Sequence, residues 1–224
     1  PDIQFYSDCA SFFEEAEKHS FYLIPHFLEA PEDNFFPSTT TILMAGQYNF
    51  GYVGINPRKG DATESLLWWE RRLDKECIVN FHNQIFVDQK WGSFFANRPA
   101  AGICVRPEYN VAYWNLHDRH LSKNGDIFMV SGNPLGFFHF SGYNPLKPLC
   151  LSSHQNRFIL NALPETYKKL FFSYAENLLS AGYCRWQLYK QSNSPNFVAF
   201  KPLKEQPSNR RMLPALYKSP EDIT

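Results

Sequence analysis

The 224-residue chain carries 22 basic and 22 acidic side chains, so it lacks the one-signed field that gathers nucleic acid, and no nucleic-acid partner is expected. At 44% hydrophobic it can bury one sizeable core, yet no apolar run approaches the roughly 18 residues needed to span a bilayer. The five cysteines are scattered with no C-x-x-C pair, no secretory signal opens the chain, and reduced thiols in a cytoplasmic protein are expected.

The opening Pro1-Asp2-Ile3 has no Met before it and reads as the interior of a longer sequence, so an N-terminal truncation is expected. Ile3 and Phe5 suggest a strand end, Ser11 to His19 a short helix and Phe21 to Pro25 a second strand. A loop over Ala30 to Thr40 precedes Asn49 to Asn56, an apolar run whose glycines let another group approach the backbone of a buried strand. Asp61 with Glu64 predicts a capped helix start, and Leu66, Trp69, Leu73 and Cys77 form its apolar face. Phe86 to Phe95 reads as a shorter helix, and short strands are predicted at Gly102 to Val105, Ile127 to Val130 and Gly136 to Phe140. From Leu163 the pattern turns helical, with Pro164 in the first turn and Gly182 as the stop; after Ser192 it becomes rich in Pro, Ser and Asn. Strands alternating with helices predict an α/β layer architecture.

Four clusters carry potential chemistry. In His139-Phe140-Ser141-Gly142-Tyr143-Asn144-Pro145-Leu146-Lys147-Pro148, a neutral His139 is a metal ligand, Gly142 permits close backbone approach and Lys147 offers a point charge to a phosphate. A strand-end histidine hydrogen-bonded in its own turn would show the same residues. Asp2, ending an apolar strand, suits the hard-oxygen ligation of Mg²⁺ or Mn²⁺, although any surface strand can end in Asp. Asp88 and Gln89 form a polar pair in an apolar setting, able to reach sugar hydroxyls or simply to wet a helix surface. Tyr109 to His117 interleaves rings with amides, as a sugar pocket or an aromatic core strand would.

In chain order, Pro1-Asp2-Ile3, Tyr48-Asn49-Phe50-Gly51, Val87-Asp88-Gln89, Tyr109-Asn110 and His-Phe-x-Gly-x-x-x-x-Lys-Pro resemble the family-8 glycosyltransferases, the group that includes glycogenin and bacterial lipopolysaccharide galactosyltransferases. Trp91, Tyr113 to His117, Phe137 to Gly142 and His154-Gln155-x-Arg157-Phe158 are similar, more closely, to bacterial glycosyltransferases of polysaccharide gene clusters. The likeness runs from Pro1 to about Phe158. It implies a GT-A-like nucleotide-diphospho-sugar transferase fold, a mixed sheet flanked by helices, of which residues 1–160 form the C-terminal part of the catalytic domain and 161–224 a helical extension.

The resemblance further implies that Asp2, as the second Asp of an Asp-x-Asp pair, and His139 hold Mn²⁺ or Mg²⁺ against the donor diphosphate, touched by Gly142 and Lys147. Asn49, Gly51, Tyr109 and Asn110 would contact the transferred sugar or the acceptor, with Asp88 and Gln89 in the catalytic positions. The donor would be a nucleotide sugar, most simply a UDP-sugar, the acceptor a glycan or lipid-linked, and the outcome retaining. Family-8 chains place two residues between the glycine and Lys-Pro, whereas Tyr143 to Leu146 intervene here, and Phe50 stands where a small residue is common. A non-catalytic carbohydrate-binding module and a scaffold domain are the alternatives.

Overall fold

A computed structural model describes residues 2–193. The first half runs β1 (Ile3–Phe5), α1 (Ala10–Ala16), β2 (Phe21–Pro25), α2 (Thr39–Ala45), β3 (Tyr48–Ile55) and α3 (Ala62–Glu76). A small hairpin, β4 (Val79–Asn80) and β5 (Ile85–Phe86), leads into α4 (Val87–Gly92), and then come β6 (Gly102–Ile103) and β7 (Val111–Ala112). The second half contains the meander β8 (Leu121–Asn124), β9 (Ile127–Val130) and β10 (Asn133–Pro134), then β11 (Phe137–His139), α5 (Glu165–Ser180) and α6 (Tyr183–Asn193).

The architecture is mixed α/β, but the strands divide among several small sheets where one mixed sheet was expected. In one sheet β11 lies between antiparallel β1 and parallel β7. In a second, β2 lies between antiparallel β3 and parallel β6. The meander β8-β9-β10 is a third. The central strands β2 and β11 are apolar on both faces and buried, which is why neighbouring layers cover both of their sides. An irregularity between Leu23 and Pro25 shifts the register at the end of β2 and limits that sheet.

α5 joins the core of the β11 sheet through Leu170, Phe171 and Tyr174, the last stacked on Phe140 with ring centroids 3.7 Å apart. Around β2, Phe12, Tyr22 and Ile24 pack with Tyr109 and Phe137, while Phe21 stacks on Phe95 at 4.1 Å. Two helix boundaries differ from the expected ones. The expected loop over Ala30 to Thr40 ends early because Ser38 accepts a hydrogen bond from the Thr41 N–H and starts α2. The chain also resumes as α6 after the stop at Gly182.

α3 starts after Asp61 as predicted, but without the capping bond. The Asp61 carboxylate turns instead to Arg98, 3.4 Å away. Leu66, Trp69 and Leu73 are half-buried and Cys77 is exposed, so the apolar face of α3 covers only its own first turns of core. The Pro- and Ser-rich stretch expected after Ser192 lies, from residue 194 onward, outside the described residues.

Candidate functional site

The antiparallel register of β1 on β11 sets Ile3 opposite His139, so Asp2 lies one step beyond, and its carbonyl accepts the Phe140 N–H at 2.6 Å. That pairing carries Asp2 Oδ2 to 3.3 Å from His139 Nε2. On the other flank of β11, β7 begins just after Asn110, whose left-handed backbone (φ 55°) turns its amide toward the ring. His139 Nδ1 faces two oxygens, Asn49 Oδ1 at 3.2 Å and Asn110 Oδ1 at 3.3 Å.

The neighbouring bonds fix which amide atoms these are. Asn49 Oδ1 accepts the Gly51 N–H at 3.0 Å and the Asn110 Nδ2 donor at 3.0 Å, so it is the oxygen, and Asn110 presents its own oxygen to the ring. Two acceptors at Nδ1 require that this nitrogen carry the proton. Nε2 of a neutral ring is then a lone pair aimed at a carboxylate oxygen. Two acceptors facing each other at this range require a cation between them, either a second ring proton or a metal ion. In the absence of metal the His139 bond and charge hold the Asp2 carboxyl below its usual range, partly offset by burial.

Adjacent ligands of an octahedral Mg²⁺ stand about 3 Å apart, given bonds of roughly 2.0–2.1 Å. The Asp2–His139 separation of 3.3 Å is close to that edge. The side chains differ in access: that of His139 is 10% exposed and that of Asp2 56%. No group of three or more His, Cys, Asp or Glu side chains gathers to hold a metal among the described residues. The two side chains could thus form one arm of a site whose remaining ligands come from elsewhere, as phosphate oxygens and waters do for Mg²⁺.

Behind the ring lies a buried polar knot. Asn49 Nδ2 donates to Gln89 Oε1 at 3.2 Å, which also accepts the Phe50 N–H at 3.0 Å, and Gln89 Nε2 donates to the Ala45 carbonyl at 3.0 Å. His26 closes the knot, with Nε2 3.3 Å from Asn49 Nδ2. Burial lowers the His26 pKa to about 4, so its ring is neutral, and Nε2 accepts the Asn49 amide proton. The Trp114 indole meets both imidazoles edge to face, His139 at 5.1 Å and His26 at 5.4 Å.

The sequence-predicted residues divide. Asp2, His139, Asn49, Asn110 and Gln89 meet in this knot. Gly51 is there for space: a Cβ would run into the His139 imidazole and lie 2.8 Å from Asn49 Oδ1. Asp88, half-buried on α4, takes the Trp69 indole N–H on its backbone carbonyl. Tyr109 is core, stacked on Phe12 at 4.2 Å beneath the Arg106 guanidinium. Gly142 has φ +72°, and a Cβ there would press on His154 and Ser152, 2.5 and 2.7 Å away. Lys147 is exposed in the following turn, its N–H bonded to the Asn144 carbonyl.

Several contributors escaped the sequence reading. His26 directly follows the apolar run of β2, a polar residue where a buried strand ends, and that was its signal. Arg119, fully buried, donates to the Tyr109 and Asn110 carbonyls at 2.6 and 3.2 Å and so holds the turn that aims Asn110. Its burial lowers the guanidinium pKa to about 10. Asn115, an amide of the Tyr109 to His117 cluster that the sequence did single out, contributes Nδ2 bonds to the His26 and Asn110 carbonyls.

No model of a protein family matches the chain, and no solved structure matches it significantly. Over 145 residues it is 30% identical to the uncharacterized protein YfnF of Bacillus subtilis strain 168. The match covers 63% of this chain and 47% of that protein, so the chain corresponds to about half of its relative's length. Among the described residues, no helix is long and apolar enough to cross a membrane.

Proposed function

We propose that the chain is the metal- and diphosphate-binding side of a GT-A-like glycosyltransferase, which moves a sugar from a nucleotide-diphosphate donor such as a UDP-sugar to a glycan or lipid-linked acceptor with retention. The observation that carries this reading is the opposition of His139 Nε2 to the Asp2 carboxylate, with the other ring nitrogen committed to two amide oxygens. Asp2 and His139 would hold Mn²⁺ or Mg²⁺, which supplies Lewis-acid stabilisation of the departing nucleoside diphosphate.

The chain's own residues prepare that site. Asn49 and Asn110 keep the proton on Nδ1 and leave Nε2 free to ligate, the outer-shell role that fixes a histidine ligand's tautomer. Gly51 leaves room for the ring. Gln89, oriented by the Ala45 carbonyl and the Phe50 N–H, holds Asn49 in turn, and Asp88 beside it is the residue proposed nearest the transferred sugar. Gly142 and Lys147, in the turn after β11, would meet the diphosphate.

The test uses the protein expressed from its complete reading frame and a panel of UDP-, GDP- and TDP-sugars, with released nucleotide as the readout. The reading expects Mn²⁺-dependent turnover of one donor, lost in both Asp2→Asn and His139→Ala. Turnover unchanged by either substitution, or no turnover with any donor, contradicts it.

A further inference from the structure

A concavity lies against the supports of that site. α2, the loop before it and the β4–β5 turn enclose a cleft of about 920 Å³, at the upper end of the roughly 300–1,000 Å³ typical of small-molecule sites. Its walls adjoin the site already described. Lys90, in the lining, follows Gln89 directly, and the end of α2 supplies both the Ala45 carbonyl to Gln89 and the Leu43 carbonyl to Lys90 Nζ.

One wall of the cleft is unusually well fixed for a surface loop. Arg157, its side chain only 5% exposed, grips Asp33 through two bonds of 2.8 Å and donates to the Pro37 carbonyl at 2.9 Å. Asn156 pairs with Phe36 in both directions, its Oδ1 accepting the Phe36 N–H at 2.6 Å and its own N–H reaching the Phe36 carbonyl at 2.9 Å. Between these clamps Phe35 remains 50% exposed in the cleft lining. A clamped loop thus presents an apolar ring to the cleft at little further ordering cost, as a preorganised ligand contact does.

The remaining lining sets the chemistry. The lining also carries the hydroxyls of Ser38 and Thr40, the amides of Asn34 and Gln84 and the ring of Phe81; the Asp33 charge is matched by Arg157, and the Lys90 ammonium is turned onto the Leu43 carbonyl. Ring faces to cover C–H surfaces, with hydroxyls and amides around them, complement a neutral pyranose. We propose that this cleft seats a neutral sugar unit of the acceptor glycan, with Phe35 as its stacking platform. The proposal rests on the glycosyltransferase reading for the word acceptor, but sugar binding itself does not need the metal site.

Saturation-transfer NMR with millimolar methyl glycosides of glucose, galactose, mannose, N-acetylglucosamine and rhamnose, on this chain, tests it. At least one glycoside should receive saturation, with the signal weakened roughly fivefold or more by Phe35→Ala and unchanged by excess EDTA. Phe35 is a surface ring, so that variant should melt with wild type; if it does not, His82→Ala on the opposite wall is read in its place. Saturation of no glycoside, saturation indifferent to the cleft variant, or saturation lost on adding EDTA overturns the proposal. Donor cleavage by the full-length protein reports separately: its absence in wild type sinks the glycosyltransferase reading, whereas glycoside saturation judges the cleft alone.

Discussion

Strand β11 separates two kinds of interior. Phe138 and Phe140 go to one face, where their rings pack on Phe171, Tyr143 and Tyr174 within an apolar cluster. His139 goes to the other, into a knot in which Asn49, Asn110, Gln89 and His26 each answer a specific donor or acceptor. The aromatic side is held by area, which is non-directional, so a smaller apolar ring or chain can settle into the space. The polar side has no such slack, because removing one partner strands another buried polar atom.

The comparison sharpens when each side is cut. On the aromatic side, Phe140→Ala should cost about 3–5 kcal/mol in urea unfolding, and Phe140→Leu much less, because the cavity rather than the chemistry sets the loss. A Leu variant as damaging as the Ala variant would mean that β11 needs that particular ring.

On the polar side the first cut is made by pH. The folded-state pKa of His26 is depressed to about 4 from the ordinary 6.5, so below pH 6.5 the unfolded chain takes up a proton that the folded chain refuses. Stability is therefore present in full above about pH 6.5 and falls toward pH 4, by about 3 kcal/mol at 1.36 kcal/mol per unit. Melting curves across that window should flatten in His26→Gln; an unchanged slope would show that another group sets it.

Asn110→Gly keeps the left-handed backbone and deletes only the amide, and is expected to cost about 1–3 kcal/mol by leaving partners in the knot unanswered. Melting at pH 7 checks it, and a loss under about 0.5 kcal/mol would mean that water replaces the amide. The smallest effect is expected at Arg157→Lys, about 1 kcal/mol or less, since an ammonium cannot copy the two-pronged grip on Asp33. Its signature is faster amide exchange at Phe36, with the knot unchanged.

How far this was readable from the sequence follows the same division. β2, β3, α5 and β11 announce themselves by runs and periods of apolar residues, because burying area leaves a local pattern. The convergence of Asp2 and Asn49 on His139 bridges sequence separations of 137 and 90 residues and leaves none. Only the ordered motifs of a family resemblance pointed to those residues together. His26 and Arg119 were missed because a buried polar residue looks like any surface one until its partners are placed. The Asp61 cap failed for a related reason: a local rule lost to Arg98, a partner 37 residues away.

The central claim is that Nε2 of His139 is a ligand awaiting a cation with Asp2. Mn²⁺ titrated into the chain in the presence of UDP, followed by paramagnetic broadening of the histidine Cε1–H signals, tests it directly, with the His139 resonance identified by its loss in His139→Gln. Selective loss of that signal at substoichiometric Mn²⁺, restored by Asp2→Asn, is the expected result. A His139 signal that stays sharp while others broaden, or that broadens equally in Asp2→Asn, would contradict the account and leave the pair as an ordinary imidazolium–carboxylate contact.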